Sequence, residues 1–368
     1  MTSPLHAIAA LGQSIWSDQL SRSMLTSGEL ARLVSEDAVT GVTSNPTIFA
    51  GAITGSDDYD DQLGEMARRG ADTVEIVTAL MTQDIQAGCD VLRPVWERTG
   101  GGDGFVSVEV SPDVADDTEA TIAEARDWVK KVDRSNLYVK VPATPAGVPA
   151  IRRLTGEGIS INVTLIFSLD RYREVMDAYL TGLDEYRASG GRLDVITSVA
   201  SFFVSRFDTE VDPRLEQIGT PEALELRGQT GVANARVAYG DFLDTFRGDR
   251  WTALATAGAR VQRPLWASTS TKNPDYPDTK YVDALVQKDT VDTMPLETIA
   301  VVKEHGNPHP RRFGEEDIAA ARSTLRSLDE VGIEYGDVVQ KLEDHGVERF
   351  TASWRELVDD VDQARKSG

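Results

Sequence analysis

Short runs of apolar and β-branched residues alternate along the chain with longer stretches in which apolar residues return every three or four positions. The short runs lie at residues 14–17, 39–43, 105–110, 137–141, 160–164, 195–201, 264–268 and 290–294, and each predicts a strand. Among the longer stretches, 116–132 opens with acidic residues, as a helix N-terminus favours. In 169–187, Tyr172, Val175, Met176, Tyr179 and Leu183 recur at helical spacing. Alternation of strand and helix argues for a parallel sheet, and eight such units argue for its closure into a (β/α)8 TIM-type barrel. The expected organisation is an α/β chain in which residues 1–368 form one barrel domain. Gaps of about sixty residues after the second and sixth strands call for extra helices there. Residues 296–368 read as a C-terminal helical segment packed on the barrel, with helical patterns at 318–325 and 338–354.

Polar residues break the apolar pattern at a recurring place. Asp18, Asn45, Glu109, Lys140, Asn162 with Thr164, Ser201, and Ser270 with Lys272 all fall at or just beyond expected strand ends. In a barrel, the C-terminal strand ends and the loops after them build the active site. The pattern therefore delivers one polar constellation to one end of the fold.

Composition narrows the function classes. The chain has 368 residues, 40% of them hydrophobic, ample for a large core. A formal charge of −22, from 60 acidic and 38 basic residues, disfavours nucleic acid and anionic membrane as partners, although a local basic pocket is compatible with it. One cysteine, Cys89, rules out an internal disulfide framework and suits a reducing cytoplasm. The opening MTSPLHAIAALGQSIW lacks the basic and long apolar parts of a signal peptide, and no 18-residue apolar run predicts a transmembrane helix. A cytoplasmic protein is expected.

Lys140 is the least expected of the strand residues, because it sits inside the apolar run of NLYVKVPATPAGVPAI, residues 136–151. A lysine usually keeps its ammonium in water or in an ion pair. The sharper reading is a Schiff-base nucleophile. An amine attacks a carbonyl only when neutral, and an ordinary lysine is neutral in less than ~0.1% of molecules at pH 7. Burial among apolar neighbours disfavours the ammonium, which is the direction of activation.

The segments LYVKVPATPAGVPAIRRL and GVTSNPTIF (41–49) together resemble the two signature segments of transaldolases. SIWSDQLSR, VSVEVSP, ISINVTLIFS, SFFVSR and STSTKNP extend the resemblance to about residue 300, and the length is similar to the longer bacterial branch of that family. The resemblance implies a class I aldolase-like barrel that uses no cofactor. It implies transfer of a dihydroxyacetone unit from a ketose phosphate, such as sedoheptulose 7-phosphate or fructose 6-phosphate, to an aldose phosphate. The implied setting is the non-oxidative pentose phosphate pathway, with sugar phosphates as partners. Lys140 matches the imine-forming lysine, and Asp18 matches the carboxylate that takes the C4 hydroxyl proton. Glu109 and Thr164 match a pair that moves protons through a water during imine formation. Asn45 and Asn162 match residues that hold substrate hydroxyls or the dihydroxyacetone unit. Ser201, Phe203 and Arg206 match a serine, an aromatic and a phosphate-binding arginine, while Ser270 and Lys272 match a second phosphate-binding pair. The commoner pattern has arginine where Lys272 stands, so the bidentate fork is lost there. Ser268 remains a rival to Ser270 in STSTKNP.

Blander readings stand beside several of these. Asp18 could cap a helix before QLSRSML, Asn45 could be an ordinary Asn-Pro turn, and Arg206 could be a rim salt bridge. His6, His305, His309 and His345 have no metal-ligand spacing, so no metal is expected. The glycine-rich TGGGDGF (99–105) precedes a strand, whereas a phosphate-cradling loop should follow one. SDDYDD lacks calcium-loop spacing and reads as the start of a solvated helix, and Cys89 reads as a packing residue. Two rival functions remain. A fructose-6-phosphate aldolase-like lyase would resemble a shorter chain with glutamine in place of Glu109, and a silent barrel used for binding has no need of Lys140, Asp18, Glu109 and Thr164 together. A monomer and a homodimer both fit the sequence.

Overall fold

Strands β1 (Gln13–Ser17), β2 (Val39–Val42), β3 (Val106–Glu109), β4 (Leu137–Pro142), β5 (Ile161–Ile166), β6 (Ser198–Phe203), β7 (Gln262–Ala267) and β8 (Thr290–Met294) pair in chain order. All neighbours are parallel, and β8 closes on β1. The structure, a computed structural model, describes residues 3–308 and 312–367, and its closed barrel is the one expected from the alternation. Several strand ends differ from expectation by one to three residues, among them β7, which begins at Gln262, and the differences in β6 and β5 have a structural reason. β6 starts at Ser198, because 193–195 form a short 3-10 turn in which Val195 is exposed. β5 runs on to Ile166 through an irregularity that the apolar pattern does not reveal.

The two long gaps hold the extra helices. Pro46–Thr54, Asp60–Arg68 and Thr73–Arg98 lie between β2 and β3, and Ser205–Ile218 and Thr230–Thr245 lie between β6 and β7. Thr73–Arg98 starts at a reciprocal cap in which Asp72 accepts from the Glu75 amide (2.9 Å) and Glu75 accepts from the Asp72 amide (3.0 Å). SDDYDD supplies a short turn and then the Asp60–Arg68 helix. Cys89 is buried on Thr73–Arg98, and burial pushes its thiol up to about 12, consistent with packing.

Below the strand ends, Trp16, Phe105, Tyr138, Val199, Leu265 and Val291 fill the barrel. A second apolar cluster lies outside it, where β5 and the helices Ser205–Ile218 and Thr230–Thr245 meet the C-terminal segment. That segment comprises Glu315–Glu330 and the 33-residue helix Tyr335–Ser367, both longer than their apolar cores suggest. On the last helix, Val338, Leu342, Phe350, Trp354, Leu357 and Val361 form a buried stripe at helical spacing. Gly346 takes the stripe position between Leu342 and Phe350. Thr47 Oγ1 donates to Ser353 Oγ (2.6 Å) and Thr73 Oγ1 to Asp362 Oδ1 (2.9 Å), which ties the helix to the β2–β3 insertion. Among the described residues no helix is long and apolar enough to cross a membrane.

Gly41 on β2 shows how tightly the interior is filled, since a Cβ there would meet the Trp16 indole at 2.4 Å. Gly41→Ala is expected to cost about 1–3 kcal/mol of stability through overpacking. Denaturant unfolding of the variant reads this directly, and an unchanged midpoint would mean that Trp16 can shift.

Candidate active site

Strand register performs the first step of assembly. Paired residues of neighbouring parallel strands share a side, and the ladders set Glu109 beside Lys140 and Lys140 beside Asn162. Tyr138, two residues before Lys140, shares its side and stacks on Phe105 with ring centroids 4.1 Å apart. The floor under the lysine is therefore aromatic. Lys140 is 9% exposed, and its Nζ donates to Glu109 Oε2 at 2.9 Å. Burial pushes the Glu109 carboxyl up, and the charge and hydrogen bond of Lys140 oppose that shift without cancelling it. A carboxyl raised in this way can exchange a proton with the amine beside it.

Asn162 lies next to this pair, wholly buried. Its Nδ2 donates to Ser107 Oγ (3.0 Å) and its Oδ1 accepts from Ser201 Oγ (2.8 Å), so its amide orientation is set from both sides. Thr164, two residues further along β5, has a buried Oγ1 with no hydrogen-bond partner among the described residues.

Asp18 follows β1, with its amide donating to Met294 O of β8 at 3.0 Å. It is not a helix cap: the next helix, Arg22–Thr26, is capped by Ser21, which accepts from the Met24 amide. Asp18 Oδ1 is buried and without a partner among the described residues. Burial pushes this carboxyl up to about 6, with Lys140 and Lys272 opposing and Glu297 adding to the shift.

One cavity of about 420 Å³ receives Asp18, Asn45, Glu109, Lys140, Thr164, Phe203 and Arg206. Asn45 does more than turn the chain before Pro46. It caps Pro46–Thr54, with Oδ1 accepting from the Ile48 amide (3.1 Å), and it lines the cavity. Arg206 has no carboxylate within ion-pair distance among the described residues, so the rim salt bridge is absent; its guanidinium sits 5.0 Å from the Phe203 ring centroid. Ser270 and Lys272 do not line this cavity, although the Lys272 charge acts on Asp18 at its edge. The chain turns at Ser268 in a left-handed conformation, φ 58°, with Ser268 Oγ 3.0 Å from Ser205 Oγ. Beyond that turn Lys272 Nζ donates to Ser270 Oγ (2.6 Å) on an open loop, and Lys272 lines a separate cavity of about 260 Å³. Among the described residues no group of three or more His, Cys, Asp or Glu could hold a metal; His309 lies outside them.

The residues that sequence reasoning missed come from the last helix. Gly346, Arg349, Phe350 and Ser353 line the cavity wall facing the strand ends. The helical stripe 338–354 was a readable signal for the helix, but not for where it crosses. Arg349, like Arg206, makes no ion pair among the described residues. Burial lowers the Arg206 guanidinium and the nearby Arg349 charge adds to that shift. Two unpaired guanidiniums line one cavity in a chain of formal charge −22, an arrangement whose local field favours an anion. With an amine nucleophile, an adjacent proton acceptor and a second carboxyl poised near neutrality, the cavity can add an amine to the carbonyl of an anionic substrate.

Comparison with known proteins gives a consistent picture. The family model described as transaldolase/fructose-6-phosphate aldolase matches residues 15–361. The transaldolase of Thermobifida fusca (strain YX) is 53% identical over 99% of this chain and 98% of its own length. Transaldolase 1 of Streptomyces avermitilis is 51% identical over 97% of this chain and 94% of its own. The transaldolase of Mycobacterium tuberculosis H37Rv is 51% identical over 97% and 96%.

The raised Asp18 carboxyl has a thermodynamic consequence. Its folded-state value lies above the ordinary one, so its contribution to stability is fully present below pH 3.8 and is lost as pH rises through about 6. Ionised Asp18 is therefore a cost at neutral pH. Asp18→Asn is expected to be more stable than the parent by about 1–2 kcal/mol at pH 7.5 and to lose that advantage near pH 4. Chemical unfolding at the two pH values checks both the gain and its disappearance.

Proposed function

We propose that this chain, which belongs to the transaldolase/fructose-6-phosphate aldolase family and is an enzyme of the transaldolase type, runs its reaction through a Schiff base on Lys140. The observation that carries the reading is the buried Lys140–Glu109 contact of 2.9 Å, in the same cavity as a carboxyl held near neutrality.

The roles follow from what each step needs. Glu109 takes the proton from Lys140, and the neutral amine adds to C2 of the ketose phosphate. Loss of water from the carbinolamine requires a proton on the departing hydroxyl; Glu109 supplies it, with the Thr164 hydroxyl placing the water between them. The protonated imine then draws electrons from the C3–C4 bond as Asp18 accepts the C4 hydroxyl proton. The aldose phosphate leaves, and a three-carbon enamine stays on Lys140. An acceptor aldehyde reverses the sequence, with Asp18 returning its proton. A carboxyl near 6 suits both directions at neutral pH. The enamine must outlast the interval between aldehydes, so control of water and protons separates transferase from lyase.

Arg206 and Arg349 are the proposed phosphate contacts, and Ser270 with Lys272 would join them from the β7 loop, where the Lys272 charge already acts on Asp18. Asn45, Asn162 and Ser201 are assigned to substrate hydroxyls, and Phe203 to the apolar wall under the sugar. The two guanidiniums support a substrate orientation with a phosphate toward Arg206 and Arg349, and Lys272, on the Asp18 side, is suited to a phosphate at the other end of the sugar. We place the enzyme in the cytoplasm and in the non-oxidative pentose phosphate pathway, where its substrates are sugar phosphates.

Borohydride reduction with fructose 6-phosphate, read by intact mass and peptide mapping, tests the reading. The expected result is a dihydroxyacetone adduct on Lys140 that erythrose 4-phosphate drains into sedoheptulose 7-phosphate, and none in Lys140→Met. Rapid release of dihydroxyacetone without acceptor would indicate the lyase; no adduct would sink the Schiff base. Separately, Arg206→Ala and Arg349→Ala are each expected to raise KM for phosphorylated substrates by about 10- to 100-fold, as loss of a charge-assisted hydrogen bond does. Steady-state kinetics with phosphorylated and unphosphorylated acceptors distinguishes that effect from general damage.

A further inference from the structure

We propose that the last helix positions Thr164 for proton transfer, acting through the left-handed turn at Leu165, and that Tyr335, Asn234 and Gly346 are the positioning residues. The inference rests on the assignment of Thr164 to imine formation given above.

The first observation is backbone strain beside the site. Leu165 has φ 58°, a region that a bulky side chain avoids unless the surroundings impose it. The β5–β6 ladder pairs Val163 with Ala200 and resumes only at Ile166 with Phe202. Three steps on β5 match two on β6, which is a bulge at Thr164 and Leu165. Bulges of this kind re-aim a side chain next to an active site. Thr164 Oγ1 has no hydrogen-bond partner of its own among the described residues, so no polar contact fixes the hydroxyl, and its place follows from the backbone and the rotamer which that backbone allows.

The second observation is what holds that backbone. Leu165 and Phe167 pack with Phe207, Leu342 and Phe350 in the outer apolar cluster. Gly346 is the stripe residue that meets them: a Cβ there would lie 3.0 Å from Phe167 Cε2 and 3.4 Å from Leu165 Cδ2. A polar clamp closes on the residues just after the bulge. The Leu169 amide donates to Tyr335 Oη (3.1 Å), Tyr335 Oη donates to Asn234 Oδ1 (2.9 Å), and Asn234 Nδ2 donates to Phe167 O (3.0 Å). Asn234 is wholly buried, and the Tyr335 ring packs on Phe207 with centroids 5.7 Å apart. The clamp thus links both sides of the turn's exit to the first residue of the last helix. Where no hydrogen bond holds a reacting group in place, a backbone displacement of about 1 Å is passed on to it, and misplacements of that size cost rates of order 100-fold.

The test uses Tyr335→Phe, which removes one hydroxyl and keeps the ring, in the full chain. Rapid-quench borohydride trapping with fructose 6-phosphate measures the rate of adduct formation on Lys140. Tyr335→Phe is expected to slow adduct formation by about 10- to 100-fold while the substrate concentration for half-maximal rate stays within about twofold. In a Thr164→Ala background the same change should slow it little further, because its effect passes through Thr164. Equal slowing in both backgrounds, or no slowing in either, overturns the proposal. Gly346→Ala provides a second route if Tyr335→Phe folds poorly, with the same expected dependence on Thr164. An unmodified enzyme that forms no adduct at all would fail the Schiff-base reading itself, which is a different result from a fast Tyr335→Phe.

Discussion

The contact between Lys140 and Glu109 is the constraint around which the rest of this structure is arranged. Two opposite charges taken out of water are tolerated only when each satisfies the other, and removal of one leaves an uncompensated buried group. The barrel supplies the geometry at low cost in conformational freedom. Adjacent strands β3 and β4 are already in register, and both side chains project into an interior floored by Tyr138 and Phe105. In the proposed reaction this pairing serves a second purpose, because the carboxyl that satisfies the ammonium can also relieve it of its proton.

Electrostatic separation across the cavity is the second organising feature. Asp18 and Glu297 stand on the β1 and β8 side, while Arg206 and Arg349 stand without carboxylate partners. The mean charge of the chain says nothing of this division. A formal charge of −22 is spread over a solvated surface laced with ion pairs, such as Arg126 with Glu157 and Arg250 with Asp177, whereas the field at the site comes from a few groups in a cavity. Burial has opposite consequences for the two signs: it raises Asp18 to about 6, within reach of titration near neutral pH, and lowers Arg206, whose guanidinium nevertheless keeps its charge.

The last helix joins fold to chemistry. Its apolar stripe anchors it on both core clusters, Ser353 and Asp362 bond the β2–β3 insertion, and Arg349 reaches the cavity. Gly346 sits where the helix runs closest to β5, and the absence of a side chain there lets Leu165 and Phe167 approach. A segment without a recognisable motif thereby closes one wall of the site.

What the sequence determined by itself was everything carried by short-range pattern. Strand-length apolar runs and helical spacing were enough for eight parallel strands, because each strand is covered on both faces and is mostly apolar for that reason. Lys140 and Glu109 stood out because charge within such a run is costly unless something requires it. Asp18 and Asn45 were harder, since caps and turns use the same residue types; only the structure shows Ser21 taking the cap near Asp18, and Asn45 capping Pro46–Thr54 while it lines the cavity. Tertiary structure alone decided the rest. The Leu165 bulge leaves no mark in an apolar run, Lys272 departs from the main cavity because the chain turns at Ser268, and Arg349 faces it because of where a long helix crosses the barrel. Periodicity states which face of a helix is buried, but the partner it is buried against depends on contacts between residues far apart in the chain, and no local pattern encodes those.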